Sequence, residues 1–156
     1  MVAASGLTLV DTNVFVIDLR YRRDRNFRAN RRLLDRIARD GDGATTLFNL
    51  LEVCGILSFN LNALQLRELF FHLPARYGIR IVPTGDAERA LPELTAGEVL
   101  QAIGKKASLG DALLVATIDK HVPGAARFVS WDADHFRGKL SIPVLTPGEF
   151  LRSGRR

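Results

Sequence analysis

The sequence predicts an α/β fold in which helices cover both faces of a mostly parallel sheet. Short β-favouring segments alternate with amphipathic helical segments, and strands that are joined through helices normally run parallel. The length of 156 residues and the hydrophobic content of 47% fit one domain with one core. Ligands of such sheets bind at the carboxyl ends of the strands, near the point where the strand order reverses. We therefore look for functional residues where strands end.

The first half of the chain predicts two strands and three helices. The β-favouring run Leu7–Val10 ends at an acidic residue, and an apolar stripe between arginines predicts a helix over Asp24–Arg39. Glycines after that helix end it. The strand Ala44–Thr46 leads at once into the helical run Leu47–Leu57, and the helix Ala63–Tyr77 follows before another glycine.

The second half of the chain predicts three strands and four helical segments. Branched and apolar residues mark the strands Ile79–Pro83, Arg127–Ser130 and Ile142–Leu145. The helical segments are Asp86–Leu91, Thr95–Lys106, Gly110–His121 and a last turn, Pro147–Leu151. We assign residues 1–151 to the domain and residues 152–156 to a short basic tail.

Charge and composition narrow the classes of function. The chain has 22 basic and 17 acidic residues, a net charge of +5, and only four of the basic residues are lysine. Arginine makes two-pronged contacts with phosphate, so a nucleic-acid partner is one interpretation, and a GC-rich coding sequence is the other. The single cysteine, Cys54, excludes an intrachain disulfide and indicates a cytoplasmic protein. No apolar stretch approaches the roughly 20 residues of a membrane span, and Met1–Gly6 lacks the pattern of a signal peptide.

Four acidic residues lie in or beside the most apolar segments of the chain. Asp11 and Asp132 each follow a predicted strand, Asp111 lies in the first turn of a helix, and Glu52 lies on the buried face of a helix that follows a strand. Strand ends and the starts of the following helices share one edge of a parallel sheet, so these carboxylates can converge. No lysine is positioned to neutralise them and the three histidines are scattered. An all-oxygen cluster of this kind predicts Mg²⁺ or Mn²⁺ rather than zinc.

Each of these acids also has an ordinary structural interpretation. Asp11 can cap a helix, and Asp111 can be a first-turn acid that favours the helix dipole. Asp132 and the nearby Asp134 can be loop acids. For Glu52 the alternative is an exposed polar stripe on its helix. One shared site explains all four positions together, whereas the structural interpretations need four coincidences.

The acids and their surroundings resemble the PIN-domain family, and most closely the VapC toxins of toxin–antitoxin pairs. The resemblance is carried by Val10–Phe15, the apolar helix with Glu52, Ser108–Thr117, and Val129–Asp132 leading to His135 and Phe136. The four acids follow one another at spacings of 41, 59 and 21 residues. The family usually has threonine where this chain has Ser130, which keeps the hydroxyl.

The resemblance implies a fold, an activity and partners. The fold is a five-stranded parallel sheet between helices, and the activity is metal-dependent cleavage of RNA. The implied partners are an RNA substrate, a small VapB-like antitoxin and a second copy of the chain in a homodimer. The implied site consists of metal-binding and catalytic Asp11, Glu52, Asp111 and Asp132, with Asp134 as a substitute for Asp132, and the supporting residues Asn13 and Ser130.

The chemistry of the four acids is consistent with this function without the resemblance. Hydrolysis of a phosphodiester needs an activated water, an in-line approach and neutralisation of the phosphate charge, and one or two Mg²⁺ ions held by carboxylates supply all three. Arginines elsewhere could hold the RNA backbone, although a solvated helix face is an equal interpretation. The candidates for RNA contacts are Arg22, Arg23, Arg28, Arg152, Arg155 and Arg156.

Two other functions remain open from the sequence. An Mg²⁺-dependent phosphotransfer domain also places aspartates at strand ends, but it generally needs a lysine near the last strands, where Lys139 is the only candidate. A non-catalytic α/β module could instead use the basic surface to bind RNA or a protein.

Overall fold

A computed structural model describes residues 6–154, and its centre is one five-stranded sheet. The strands lie in the order β3-β2-β1-β4-β5, and each neighbouring pair is parallel. The predicted α/β fold with a parallel five-stranded sheet is confirmed. The strands are β1 (Thr8–Val10), β2 (Gly43–Thr46), β3 (Arg80–Val82), β4 (Arg127–Val129) and β5 (Val144–Leu145).

Helices cover both faces of the sheet, as predicted. Side chains alternate between the faces along each strand, so Leu9 and Phe128 belong to one apolar core, and Val10 and Val129 belong to the other. Helices α1 to α4 and α8 pack on the second of these cores, and α5 to α7 pack on the first. The helices are α1 (Thr12–Arg20), α2 (Phe27–Asp40), α3 (Leu47–Leu57), α4 (Ala63–Tyr77), α5 (Ala96–Gly104), α6 (Leu109–His121), α7 (Ala133–Phe136) and α8 (Pro147–Arg152).

The strand order reverses between β1 and β4, and this places the chain segments that leave both strands side by side. From β1 the chain moves to β2 and β3 on one side, whereas β4 and β5 lie on the other side. Asp11 follows β1, and Ser130 to Asp132 follow β4, so these residues share the carboxyl edge of the sheet at the reversal. This edge is where parallel α/β sheets bind their ligands.

Three local predictions differ from the structure. Helix α1 is not predicted, because its β-branched residues favour a strand; Asp11 caps it and it is buried between neighbouring helices. The predicted helix Asp86–Leu91 is wrong: Asp86 forms a turn by accepting hydrogen bonds from the backbone N–H groups of Glu88 and Arg89, and no helix continues from it. Helix α2 starts at Phe27 rather than Asp24, since the Asp24 side chain closes a turn onto the N–H of Asn26.

The described residues 6–154 leave out both ends of the chain. Helix α8 continues through Arg152, while Arg155 and Arg156 lie outside the described residues, so the division of the chain at residue 151 stays a prediction. Residues 1–5, on which the expectation about a signal peptide rests, also lie outside the described part. Between residues 6 and 154, no helix is long and apolar enough to cross a membrane.

Candidate metal centre

Asp11 is the buried carboxylate at the centre of the site. It ends β1, caps α1, and is only 6% exposed. Its Oδ1 atom accepts hydrogen bonds from the backbone N–H of Thr12 at 2.8 Å and from Nδ2 of Asn49 at 3.2 Å. Its Oδ2 atom accepts from the Ser130 hydroxyl at 2.6 Å and from Nδ2 of Asn13 at 3.3 Å. These donors fix the position of the carboxylate and stabilise its charge.

Burial nevertheless makes the charge of Asp11 costly. Burial raises the pKa of Asp11 from 3.8 to about 6, and the hydrogen bonds from Ser130 and Thr12 only partly oppose this rise. The negative charges of Glu52 and Asp111 raise the pKa of Asp11 further. Asp11 therefore lies in a field of negative charge, and a cation beside it would favour its ionised form.

Glu52 reaches the site from α3, and the start of that helix is held by a polar network. The Thr46 side chain caps α3 at the N–H of Asn49, and the buried amide of Asn49 donates to the hydroxyl of Thr12 at 2.9 Å. The Thr12 hydroxyl in turn donates to Oε2 of Glu52 at 2.6 Å. Glu52 is exposed, so its predicted position on the buried face of the helix is wrong. Its side chain borders solvent because it lines an open cleft rather than the core.

Asp132 enters the site from the loop after β4. Its backbone N–H donates to the hydroxyl of Ser130 at 2.9 Å, and Nδ2 of Asn13 lies 3.1 Å from that hydroxyl and 3.5 Å from Oδ2 of Asp132. Asn13 and Ser130 thus link this loop to the end of β1. Asp134, considered as a substitute, is exposed and pairs with Arg137 instead.

Asp111 comes from the first turn of α6, which lies on the other face of the sheet. Ser108 caps this helix by accepting from the backbone N–H of Asp111 at 3.3 Å, so the predicted structural role coexists with a place in the site. Oδ2 of Asp111 lies 2.6 Å from Nε2 of His135, and Nζ of Lys139 lies 3.4 Å from the other ring nitrogen. One of the three histidines, which the sequence shows as scattered, therefore contacts an acid of the site, whereas Lys139 contacts the histidine ring and not the acid.

All four acids line one open cleft of about 510 Å³, which we call the carboxylate cleft. Its walls are Asp11, Glu52, Asp111 and Asp132 together with Thr12, Asn13, Val16, Ile56, His135 and Phe136. Within residues 6–154, however, no three His, Cys, Asp or Glu side chains are grouped closely enough to hold a metal ion as they stand. The predicted convergence therefore brings the acids to one cleft, but not to one point.

The donors of the cleft fit Mg²⁺ or Mn²⁺. Both ions prefer carboxylate oxygens, and a cation beside Asp11 would oppose the burial that raises the pKa of this carboxyl. One oxygen of each of two other acids contacts a neighbour, Oε2 of Glu52 with Thr12 and Oδ2 of Asp111 with His135. The second oxygen of each acid makes no hydrogen bond to the described residues and could face an ion in the cleft.

A family model for the PIN domain matches residues 8–137, a range that includes all four acids. The chain belongs to the PIN-domain family. No curated protein sequence matches it. Membership is consistent with the strand order and with the cleft at the reversal of that order, while the roles of individual residues in this PIN domain stay a prediction.

Three solved structures share this fold over about nine tenths of the chain. A chain of FitAcB from Neisseria gonorrhoeae is 20% identical, with 91% of this chain and 99% of that chain covered and a TM-score of 0.59. A chain of FitAB bound to an IR36 DNA fragment is 19% identical, with 90% and 95% covered and a TM-score of 0.59. A chain of VapBC2 from Rickettsia felis, bound to a DNA fragment from their promoter, is 14% identical, with 90% and 98% covered and a TM-score of 0.60. At these identities the likeness shows the fold.

Four of the arginines proposed to contact RNA lie within the described residues 6–154, and one of them, Arg152, lies apart from the other three. Arg22 and Arg23 lie in the exposed loop between α1 and α2, and Arg28 lies in the first turns of α2. Arg152 ends α8, and the Phe150 and Leu151 carbonyls of that helix accept hydrogen bonds from the Arg36 side chain. Arg36 lies roughly 12 Å along α2 from Arg28. Arg20, which begins the Arg-rich segment Arg20–Arg36 that the sequence also suggests for RNA contacts, lies one helical turn beyond the cleft residue Val16 and contacts Asn60.

Sequence reasoning also missed three polar residues of the cleft region. Thr12 and Asn49 connect Asp11 to Glu52, and His135 pairs with Asp111. Asn49 offered one signal, since it is a polar residue in the first turn of a strongly apolar helix. His135 lies three residues after Asp132, one helical turn away, and this spacing could have suggested that both face the same cleft.

Proposed function

We propose that this PIN domain is a Mg²⁺- or Mn²⁺-dependent endoribonuclease and the toxin of a VapBC-type toxin–antitoxin pair. The observation that carries the proposal is the carboxylate cleft, where Asp11 and Asp132, from the segments after two strands, meet Glu52 and Asp111 from two helices. Family membership and the fold shared with FitAB and VapBC2 chains add support. Since the substrate is RNA, we place the activity in the cytoplasm.

In this proposal the four acids hold the metal and their neighbours hold the acids. Asp11, Glu52, Asp111 and Asp132 are the ligands, and the cation would supply an activated water and neutralise the phosphate charge. Asn13 and Ser130 fix the positions of Asp11 and Asp132 relative to each other, because each contacts both acids.

The rest of the cleft suits a strand of RNA. The apolar side chains of Val16 and Ile56 line the cleft beside the acids, and Arg20 lies one helical turn after Val16 on α1. The exposed Arg22 and Arg23 follow it in the chain. Positive side chains at one end of an acidic cleft can hold neighbouring phosphates while one phosphate lies at the metal, and such contacts are insensitive to base sequence.

Cleavage of a single-stranded RNA by the purified chain tests the activity. We expect cleavage in Mg²⁺ or Mn²⁺ that stops in EDTA and returns when the metal is restored. Binding of RNA without cleavage would favour the non-catalytic module. Transfer of phosphate to an aspartate would favour the phosphotransfer domain, but Lys139 is bound to the Lys106 carbonyl and does not line the cleft.

An antitoxin partner is proposed from the toxin assignment and from an apolar groove. The groove, about 350 Å³, lies between α3, α4 and residues 86–91, and the exposed side chains of Leu51, Phe71 and Leu91 line it. An amphipathic helix of a small partner could bury these side chains.

Co-expression with the adjacent small reading frame should rescue growth and co-purify both products. If the chain alone is harmless and no adjacent product binds it, the toxin assignment fails while the nuclease can still stand.

A homodimer is proposed from a second apolar surface. Leu100 and Ile103 of α5 and Leu109 of α6 are exposed and line one shallow depression with the partly buried Phe48 and Leu113. Large exposed apolar patches generally mark interaction surfaces, and a second copy of the same chain is the partner that the family leads us to expect.

A further inference from the structure

His135 makes the most direct contact that any of the four acids has with a basic side chain. Its Nε2 atom lies 2.6 Å from Oδ2 of Asp111, although the two residues are 24 positions apart and belong to different helices. Both side chains line the carboxylate cleft, and the ring packs edge-on against Phe136 with centroids 5.4 Å apart. The contact is therefore part of the cleft rather than of the outer surface.

The contacts of Lys139 favour one tautomer of the His135 ring. Its ammonium group lies 3.4 Å from Nδ1 of His135 and 3.3 Å from the carbonyl oxygen of Lys106, and its own carbonyl accepts from Lys105. An ammonium group can only donate hydrogen bonds, so in a hydrogen bond between Nζ of Lys139 and Nδ1 of His135 the ring nitrogen is the acceptor. The hydrogen of the ring is then on Nε2, where it is donated to Asp111.

We propose that His135 is a positioning residue of the metal centre, which holds Oδ2 of Asp111 and leaves Oδ1 free to bind the cation. This inference rests on the proposed metal-dependent function. Outer hydrogen bonds of this kind orient a ligating carboxylate before the ion arrives and reduce its repulsion with the other acids. Lys139 does not contact Asp111 and acts through His135, by favouring one tautomer and one orientation of the ring.

A positioning role predicts a loss of metal affinity that depends on the donor at residue 135. Replacing His135→Phe keeps a ring against Phe136 but removes the hydrogen bond, and we expect Mn²⁺ to bind about 10- to 100-fold more weakly. His135→Gln keeps an amide donor and should recover most of the affinity. Since the side chain is half-exposed, both variants should fold like the parent. His72→Phe, an exposed histidine on α4 outside the cleft, is the matched control and should bind like the parent.

The test is calorimetric titration of the RNA-free full chain with Mn²⁺ at one fixed pH. Weak binding by His135→Phe with recovery in His135→Gln is the expected result. Unchanged or tighter binding by His135→Phe would overturn the inference, because His135 would then be idle or would compete with the ion. Equal loss in both variants would also overturn it, since the imidazole would itself be a ligand. If the parent binds no Mn²⁺, the inference and the proposed function both fail; if the parent binds and the variants match it, only the inference fails.

Discussion

Asp11 shows at the scale of one residue how this site combines structure with chemistry. Its carboxylate caps α1 and accepts hydrogen bonds from four neighbours, so it contributes to the fold. Its burial and the nearby acids at the same time oppose its ionisation. A residue that served the fold alone would gain nothing from acids placed beside it. The arrangement is explained if a cation balances the charge.

The ionisation of Asp11 provides a prediction about pH. In the metal-free protein we expect the Asp11 carboxyl to titrate near pH 6, which carbon-13 NMR of the side-chain carboxyls would measure. Between about pH 4 and pH 6 the folded state then binds more protons than the unfolded state, so stability falls as pH rises. Asp11 alone should lower the free energy of unfolding at neutral pH by about 3 kcal/mol. Saturating Mg²⁺ should move the titration to lower pH; a metal-free midpoint near 4 would contradict this account.

The sequence identified the acids more readily than their neighbours. A carboxylate within an apolar segment is visible in the sequence, because burying an unpaired charge is costly, and Asp11 and Asp111 stand out in this way. The hydrogen bonds of Asn49 and His135 join segments 38 and 24 residues apart, and no local pattern encodes such contacts. Glu52 was placed on the buried face because its neighbours are apolar, but only the folded structure shows the open cleft beside it.

At the scale of elements, α1 and α2 connect the core to the site. Asn30 of α2 is fully buried; its amide donates to the Val14 carbonyl of α1 at 2.8 Å and its oxygen accepts from the Trp131 indole at 2.9 Å. Trp131 immediately precedes Asp132. Asn30 thus holds the loop after β4 against both helices. The sequence predicted α2 from its apolar stripe, whereas α1 depends on packing that overrides the strand preference of its residues.

Removal of the Asn30 side chain tests this connection. Asn30→Ala leaves the Val14 carbonyl and the Trp131 indole without partners in the interior, so the free energy of unfolding should fall by about 2 to 4 kcal/mol. Denaturant unfolding would measure the loss. Asn26→Ala is the control, since Asn26 starts the same helix without a side-chain cap and should change stability by less than about 0.5 kcal/mol. Equal effects of the two changes would argue against a specific role for Asn30.

At the scale of the whole molecule, the apolar surface of α5 and α6 predicts the oligomeric state. We expect a dimer in solution, and Leu100→Glu should convert it to a monomer because it would bury an unpaired charge at the interface. Light scattering after size-exclusion chromatography would measure the mass. Leu64→Glu is the control: Leu64 of α4 is 66% exposed, close to the 67% of Leu100, but it lies outside the α5–α6 surface. A parent that is monomeric at all concentrations would contradict the proposed dimer.

Basic side chains give a second prediction at this scale. If Arg22, Arg23 and Arg28 hold phosphates, RNA affinity should fall steeply as salt rises, and replacing the three with alanine should lower the slope of log affinity against log salt by about 2 to 3. Filter binding in EDTA would measure this without cleavage. Arg152→Ala should leave the slope unchanged, because Arg152 ends α8, which contacts Arg36 of α2 rather than the start of that helix, where Arg28 lies. If Arg152 lowers the slope as much as the other three, the proposed path of the RNA is wrong.

The central claim is that the carboxylate cleft binds a divalent metal and cuts RNA, and one comparison tests it most directly. Cleavage and thermal melting of the parent, Asp111→Asn and Asp134→Asn would be measured with EDTA and with Mg²⁺ or Mn²⁺. We predict background cleavage by Asp111→Asn, parental cleavage by Asp134→Asn, and a metal-induced stabilisation of the parent of about 2.7 kcal/mol at 100 times the dissociation constant. Asp111→Asn should lose that stabilisation, yet melt close to the parent in EDTA. If millimolar Mg²⁺ and Mn²⁺ shift neither melting temperature and Asp111→Asn still cuts RNA, the carboxylate cleft is not the active site.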